Sequence, residues 1–115
     1  MELEKINKIN VLKLHGSILQ ENSEALEEML HRIIKSENRK LIVDMSDVTH
    51  ICSLAVGFLV EYKKRAAEAG DGDIKLVVSD DDLLQLFEIT MLNKVFSIHH
   101  SLDESLNAFN TINLV

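Results

Sequence analysis

The sequence predicts an α/β fold, a mixed and mostly parallel sheet of four or five strands flanked by about four helices, in one domain over residues 1–115. Three observations predict it. Leu41-Ile42-Val43 and Ile74-Lys75-Leu76-Val77-Val78 are short, nearly continuous apolar runs, the pattern of strands covered on both faces. Between and around them the apolar period changes to that of helices. The two kinds of segment alternate along the chain, which calls for parallel strands joined by right-handed crossovers.

The elements follow in order. Leu3 to His15 is rich in Leu, Ile and Val and is broken at Asn7-Lys8, which predicts a short hairpin whose second strand ends at Gly16-Ser17. Leu26, Met29, Leu30, Ile33 and Ile34 recur at i, i+3, i+4, i+7 and i+8, one face of a first helix. Asn22 or Ser23 is its expected cap, with Glu24, Glu27 and Glu28 near the positive end of its dipole. After the strand at Leu41–Val43, closed by Asp44, Ser46-Asp47-Val48-Thr49-His50 reads as a polar loop anchored by Val48. A second helix is expected from Leu54, with Ala55, Phe58, Leu59, Tyr62, Ala66 and Ala69 as its stripe and Gly70-Asp71-Gly72 as its stop. The strand at Ile74–Val78 leads to Ser79 and Asp80–Asp82, caps for a third helix carrying Leu83, Leu84 and Phe87. Leu92, Val95, Phe96 and Ile98 form a connector with a short edge strand. Ser101-Leu102-Asp103-Glu104 matches a capping box for a last helix that buries Leu102, Leu106 and Phe109.

Composition narrows the function. With 46% hydrophobic and 27% charged residues the chain can build an ordinary core without staples. A net charge of −7 argues against nucleic acid or an anionic membrane surface as a direct partner, since both call for a basic face. No Trp and only one Tyr and four Phe leave little for stacking bases. Cys52 stands alone, so it has no internal disulfide partner. The absence of a basic-then-apolar start and of a run near the ~20 apolar residues that span a bilayer leads to the expectation of a cytoplasmic protein.

In such a fold, chemistry sits on loops leaving the carboxyl ends of the parallel strands, here Gly16–Ser23, Ser46–Ser53 and Ser79–Asp82. Ser53, at the start of the second helix, is the residue singled out. Unpaired N–H groups and the helix dipole favour negative charge there, so a phosphate would be tolerated locally and would change the surface by about −1.5 to −2 charges. The plain alternative is an N-cap serine. Ser53, His50 and Asp44 or Asp47 weakly suggest a nucleophile–base–acid set, but Ile51-Cys52-Ser53-Leu54-Ala55 is not a nucleophile elbow. Cys52 lies where a helix start can lower a thiol pKa. Asp80–Asp82 reads as a capping cluster rather than a metal site, and His99-His100 as a surface pair, because adjacent residues point to opposite sides. The nucleotide-binding glycine motifs are missing. No catalytic group, metal or cofactor is expected.

The ordered set of segments resembles the STAS domain family, the anti-sigma factor antagonist type in particular. The likeness runs from about Leu3 to Phe109. It rests on Gly16 with Asn22-Ser23-Glu24-Ala25-Leu26-Glu27-Glu28, on Leu41-Ile42-Val43-Asp44-Met45-Ser46-Asp47-Val48-Thr49-His50-Ile51, on Ser53, Gly57 and Leu59, on Leu86-Phe87-Glu88-Ile89-Thr90-Met91-Leu92-Asn93-Lys94-Val95-Phe96, and on Ser101-Leu102-Asp103-Glu104-Ser105-Leu106. The resemblance implies a non-enzymatic protein that binds an anti-sigma factor, often itself a serine kinase, and so regulates transcription indirectly. It implies phosphorylation at Ser53 and reversal by a phosphatase. It implies a contact surface on the second helix and nearby loops, at Ser17, Ser46, Cys52, Leu54, Ala55 and Gly57. Where the family carries Asp-Ser-Ser/Thr-Gly-Leu-Gly, this chain has Cys52-Ser53-Leu54-Ala55-Val56-Gly57. That difference keeps a second reading open: an unswitched STAS module in a signalling assembly or a cytoplasmic subunit of a transport system. The sequence leaves a homodimer open.

Overall fold

The hairpin forms because Asn7 and Lys8 both take positive φ (52° and 70°), the two-residue turn whose twist matches paired strands. It joins β1 (Glu2–Ile6) to β2 (Ile9–Ile18), antiparallel with Ile6 opposite Ile9. The computed structural model describes residues 1–110. After the hairpin come α1 (Gln20–Lys35), β3 (Lys40–Ile51), α2 (Ser53–Glu68), β4 (Asp73–Val78), α3 (Asp81–Ile89), a 3-10 turn (Leu92–Lys94), β5 (Ile98–His99) and α4 (Leu102–Asn110). The sheet order is β1-β2-β3-β4-β5, and every pairing after the hairpin is parallel.

Both sheet faces are covered, which explains the unalternating apolar runs. Leu12, Leu14, Leu41, Val43, Met45, Ile74, Leu76 and Val78 pack with α1, α2 and α3 residues such as Leu26, Leu30, Leu59 and Phe87. The intervening positions Ile9, Val11, Ile42 and Val77 face the other way, against Leu106 and Phe109 of α4. Each fully buried Leu or Ile contributes roughly 1.5–3 kcal/mol by leaving water. Lys75 also lies on the α4 face. It is 9% exposed, and its ammonium stands 4.8 Å from the centre of the Phe109 ring and 3.3 Å from Asp73 Oδ2.

Three expectations change. The segment read as a polar loop, Ser46–His50, is strand, because β2 runs on past Gly16 and Ser17 and gives β3 a partner as far as Ile51. Two register shifts, between Lys13/His15 and Gly16/Ser17, place extra β3 residues opposite β2. Such bulges break the alternation that would have marked a strand. Gly16 sits within this stretch at φ +70°, which favours glycine. Secondly, α1 begins earlier than Asn22. Leu19 is its cap position, and Asn22 serves the cap from inside, its Oδ1 accepting from the Leu19 N–H at 2.7 Å. Thirdly, Ala69 is exposed rather than part of the buried stripe of α2. The stop is as expected: Gly70 follows at φ +111°, and a Cβ on Gly72 would come within 2.7 Å of the Ala66 carbonyl oxygen.

Candidate functional site

The carboxyl ends of β2, β3 and β4 bring Leu19, Cys52 and Asp80 to the starts of α1, α2 and α3. The Cys52 N–H donates to the Ile18 carbonyl at 2.8 Å, which ties the end of β3 to the end of β2. Cys52 is the cap position of α2, and it makes no side-chain cap bond. Ser53 is therefore the first helical residue and not the cap. Its side chain is exposed, and among the described residues its hydroxyl has no hydrogen-bond partner. The first turn of α2 holds no acidic residue, so the positive end of its dipole is uncompensated.

Ser53 stands on the rim of an open apolar groove of about 360 Å³ between α2 and α3, shared with Ile51, Val56, Leu86, Phe87 and Thr90. A second groove adjoins it through Ile51 and Leu86 and is lined by Thr49, His50, Asp80 and Asp82. Leu54 beside Ser53 is 42% exposed, and Leu86 is 45% exposed.

The Cys52 thiol faces Ser23 Oγ at 3.2 Å, and Ser23 is fully buried. The single Ser23 hydroxyl proton has two acceptors in reach, the Leu19 carbonyl at 2.8 Å and the Cys52 sulfur. This hydroxyl, then the Ala55 amide, hold the Cys52 thiol below its usual pKa against the opposing effect of burial. The contact links the starts of α1 and α2. It gives the position taken here by cysteine a structural task that the one-dimensional sequence does not display.

The expected contact residues divide. Ser17, Leu54 and Gly57 are exposed, and Cys52 is partly so. Ser17 lies at the end of β2, with its hydroxyl 3.5 Å from His50 Nδ1. Ala55 is 0% exposed and packs into the core beneath the helix start, so its side chain offers a partner nothing. Ser46 is not brought to the site either. It lies in β3 five positions before Ile51, roughly 16 Å along an extended strand, its N–H donating to Asp44 Oδ1 at 3.0 Å.

The nucleophile–base–acid set does not assemble. His50 Nδ1 lies 2.9 Å from the Thr49 hydroxyl, Asp47 pairs with His15 at 3.5 Å and Lys13 at 3.7 Å, and Asp44 is buried under the Ser46 amide. Asp80 caps α3, accepting from the Leu83 N–H at 2.9 Å, as expected of a capping cluster. No group of three or more His, Cys, Asp or Glu side chains that could hold a metal occurs among the described residues. His99 departs from its reading as a surface residue. It belongs to β5, and its Nε2 is buried without a hydrogen-bond partner among the described residues.

Sequence reasoning missed the contribution of α3. Leu86, Thr90 and the strand-end residue Ile51 line the groove beside Ser53. The available signal was an excess: Leu83, Leu84, Leu86, Phe87 and Ile89 are more apolar residues than a nine-residue helix can bury on one face.

A mixed five-stranded sheet that presents an exposed serine at the start of a crossover helix defines a small α/β domain. Residues 1–105 match the STAS domain, and the chain belongs to that family. An anti-sigma factor antagonist from Mycobacterium paratuberculosis superposes with a TM-score of 0.81 at 21% identity, over 93% of this chain and 90% of that one. A Thermotoga maritima protein provisionally described as an anti-sigma factor antagonist gives 0.85 at 18% identity, over 93% and 92%. The Bacillus cell fate determinant SpoIIAA, in its phosphorylated form, gives 0.71 at 16% identity, over 94% and 97%. These are likenesses of fold. Among the described residues no helix is long and apolar enough to cross a membrane.

Proposed function

We propose that this chain is a cytoplasmic, non-enzymatic anti-sigma factor antagonist whose binding is controlled by phosphorylation of Ser53. Its partner is an anti-sigma factor with serine kinase activity, and a phosphatase resets it. The free Ser53 hydroxyl on the first turn of α2, beside an apolar groove, carries the reading. In the transfer step the Ser53 Oγ–phosphorus bond forms as the bond from the γ-phosphorus to the ADP oxygen breaks. The hydroxyl proton leaves to the kinase or to water. The unmodified surface offers Ser17, Cys52, Leu54 and Gly57 to the partner. Phosphate adds about −1.5 to −2 charges at the apolar end of the groove, and a docking protein would have to strip its water. The fold likeness to a protein known in a phosphorylated form supports the same reading.

Incubation with the anti-sigma kinases of the source organism and ATP, followed by mass spectrometry, tests it. A gain of one phosphate located on Ser53 and absent in Ser53→Ala is the expected result. No phosphate with any of these kinases rejects the switch. The exposed Leu54, where the family carries a second hydroxyl, favours one alternative: an unswitched STAS module in a signalling or transport assembly. Ser53→Asp leaves its partners unchanged in that case.

A further inference from the structure

One face of α3 is left without a partner inside the chain. Asp82, Leu86 and Ile89 follow one another at i, i+4 and i+7, and all three are exposed, Leu86 by 45% and Ile89 by 71%. Chemical character changes along this face. At its amino end Asp80 and Asp82 flank one groove, and at its carboxyl end Leu86 and Thr90 wall the apolar groove that contains Ser53. Neither groove is lined by a Lys or an Arg. Among the described residues neither Asp80 nor Asp82 has a cationic partner, although the chain forms ion pairs elsewhere, such as Arg65 with Glu61 at 3.0 Å.

We infer that these adjoining grooves receive an amphipathic helix of the partner that carries Arg or Lys at one position and large apolar residues four and seven positions on. The inference deepens the partner-binding reading above and rests on it. Its warrant is charge complementarity combined with helical spacing. A helix rises 1.5 Å per residue, so the carboxylate of Asp82 stands about 6 Å along the axis from Leu86 and about 10 Å from Ile89. A second helix lying alongside repeats those distances at i, i+4 and i+7. The cation meets the Asp80 and Asp82 end, and the apolar residues cover Leu86, Ile89 and Leu54. Ser53 lines the apolar groove with Leu86 and Thr90, whereas Asp80 and Asp82 line the adjoining one. A phosphate on Ser53 therefore puts charge into the groove that receives the partner's apolar residues, and stripping its water opposes docking.

The test titrates the full, isotope-labelled chain with a synthetic fifteen-residue helical peptide carrying Arg at i and Leu at i+4 and i+7. Amide shifts clustered on Ile51, Ser53, Leu86 and Ile89 are expected. A peptide with Glu in place of Arg should bind at least tenfold more weakly. Leu86→Asp should weaken the Arg peptide at least tenfold, and Asp82→Asn about threefold with a shallower salt dependence. Leu86 is exposed, so the substituted chain keeps its fold, which circular dichroism checks. Equal affinity for the Arg and Glu peptides, shifts centred elsewhere, or no shifts at millimolar peptide would overturn the inference. The two readings fail separately. A kinase that phosphorylates Ser53 and binds Leu86→Asp undiminished sinks the groove and leaves the switch. A groove that binds the Arg peptide in a chain no kinase modifies sinks the switch alone.

Discussion

Replacing Ser53 by Asp should stabilise the fold while it mimics the modified state. The first turn of α2 has no acidic residue, whereas α1 has Glu21 and α3 has Asp81 and Asp82 in that place. A carboxylate at an exposed helix start contributes about 0.3–1 kcal/mol. Repulsion from Asp80 and Asp82 opposes it. Across the groove that separates α2 from α3, at about 10 Å or more, each of those charges costs at most about 0.4 kcal/mol in unscreened water, and screening at physiological salt lowers this to about 0.1 kcal/mol or less. The net gain is about 0.5 kcal/mol. An unfolding entropy of about 2.1 cal/mol/K per residue converts that into a rise in Tm of about 2 °C for a chain of this length. Thermal melts of wild type, Ser53→Asp and Ser53→Ala at physiological and at 1 M salt provide the assay. The rise should appear only for Asp and should fade as the dipole is screened. A lower Tm for Ser53→Asp, or a rise equal in both salts, would refute the reasoning. The sign matters for function, because a variant that is more stable yet no longer binds has lost its surface and not its fold.

Three further predictions follow from the packing and the ionisable groups. Gly72→Ala should cost about 1–3 kcal/mol in chemical denaturation, since its Cβ would meet the Ala66 carbonyl oxygen at 2.7 Å and Arg39 Cβ at 2.8 Å; a neutral outcome would mean that the α2–β4 connection is looser than described. Ser23→Ala should raise the pH at which Cys52 reacts half-maximally with iodoacetamide, because the Ser23 hydroxyl is the largest influence holding that thiol below its usual value; an unchanged midpoint would contradict the contact. Stability should fall on acidification in two windows. Burial, then the Lys75 charge, hold His99 below its usual 6.5, against Glu104, so the native state binds fewer protons than the unfolded one and its contribution is present above pH 6.5 and lost below it. Burial alone would raise the Asp73 carboxyl, but the Lys63 hydrogen bond and the Lys63 and Lys75 charges bring it below its usual 3.8, so its contribution is lost only as pH falls below that value. His99→Phe should remove much of the first loss and leave the second, as followed by melts between pH 8 and 3.

The alternation of buried runs and helical stripes made the architecture legible, because a strand covered on both faces reads as a continuous apolar run while each helix imposes its own period. The Asn7-Lys8 turn, the Gly70 stop and the Asp80 cap were legible as local chemistry, where one or two residues dictate the backbone. The carboxyl half of β3 was not. Asp44-Met45-Ser46-Asp47-Val48 shows neither period, because the bulges opposite β2 re-aim its side chains and the pairing that makes it strand lies some thirty residues away in sequence. The same long-range cause hid the true cap of α2. The bond from the Cys52 N–H to the Ile18 carbonyl sets where the helix begins and moves Ser53 one place into it. Ala55 illustrates the limit of motif reasoning: its place beside Ser53 suggested contact, and only the packing of α2 on the sheet buries it. Leu86 was not singled out at all: Leu83, Leu84 and Phe87 filled the buried face expected of that helix, and only the placed neighbours show Leu86 on the groove.

In the proposed switch, one phosphate on Ser53 disconnects the chain from an anti-sigma factor. Isothermal titration of that partner with the unmodified chain and with chain phosphorylated to completion at Ser53 tests it most directly. Measurable binding is expected for the first and at least a hundredfold weaker binding for the second, with the Tm of the phosphorylated chain no lower. Equal affinities for the two forms would contradict it.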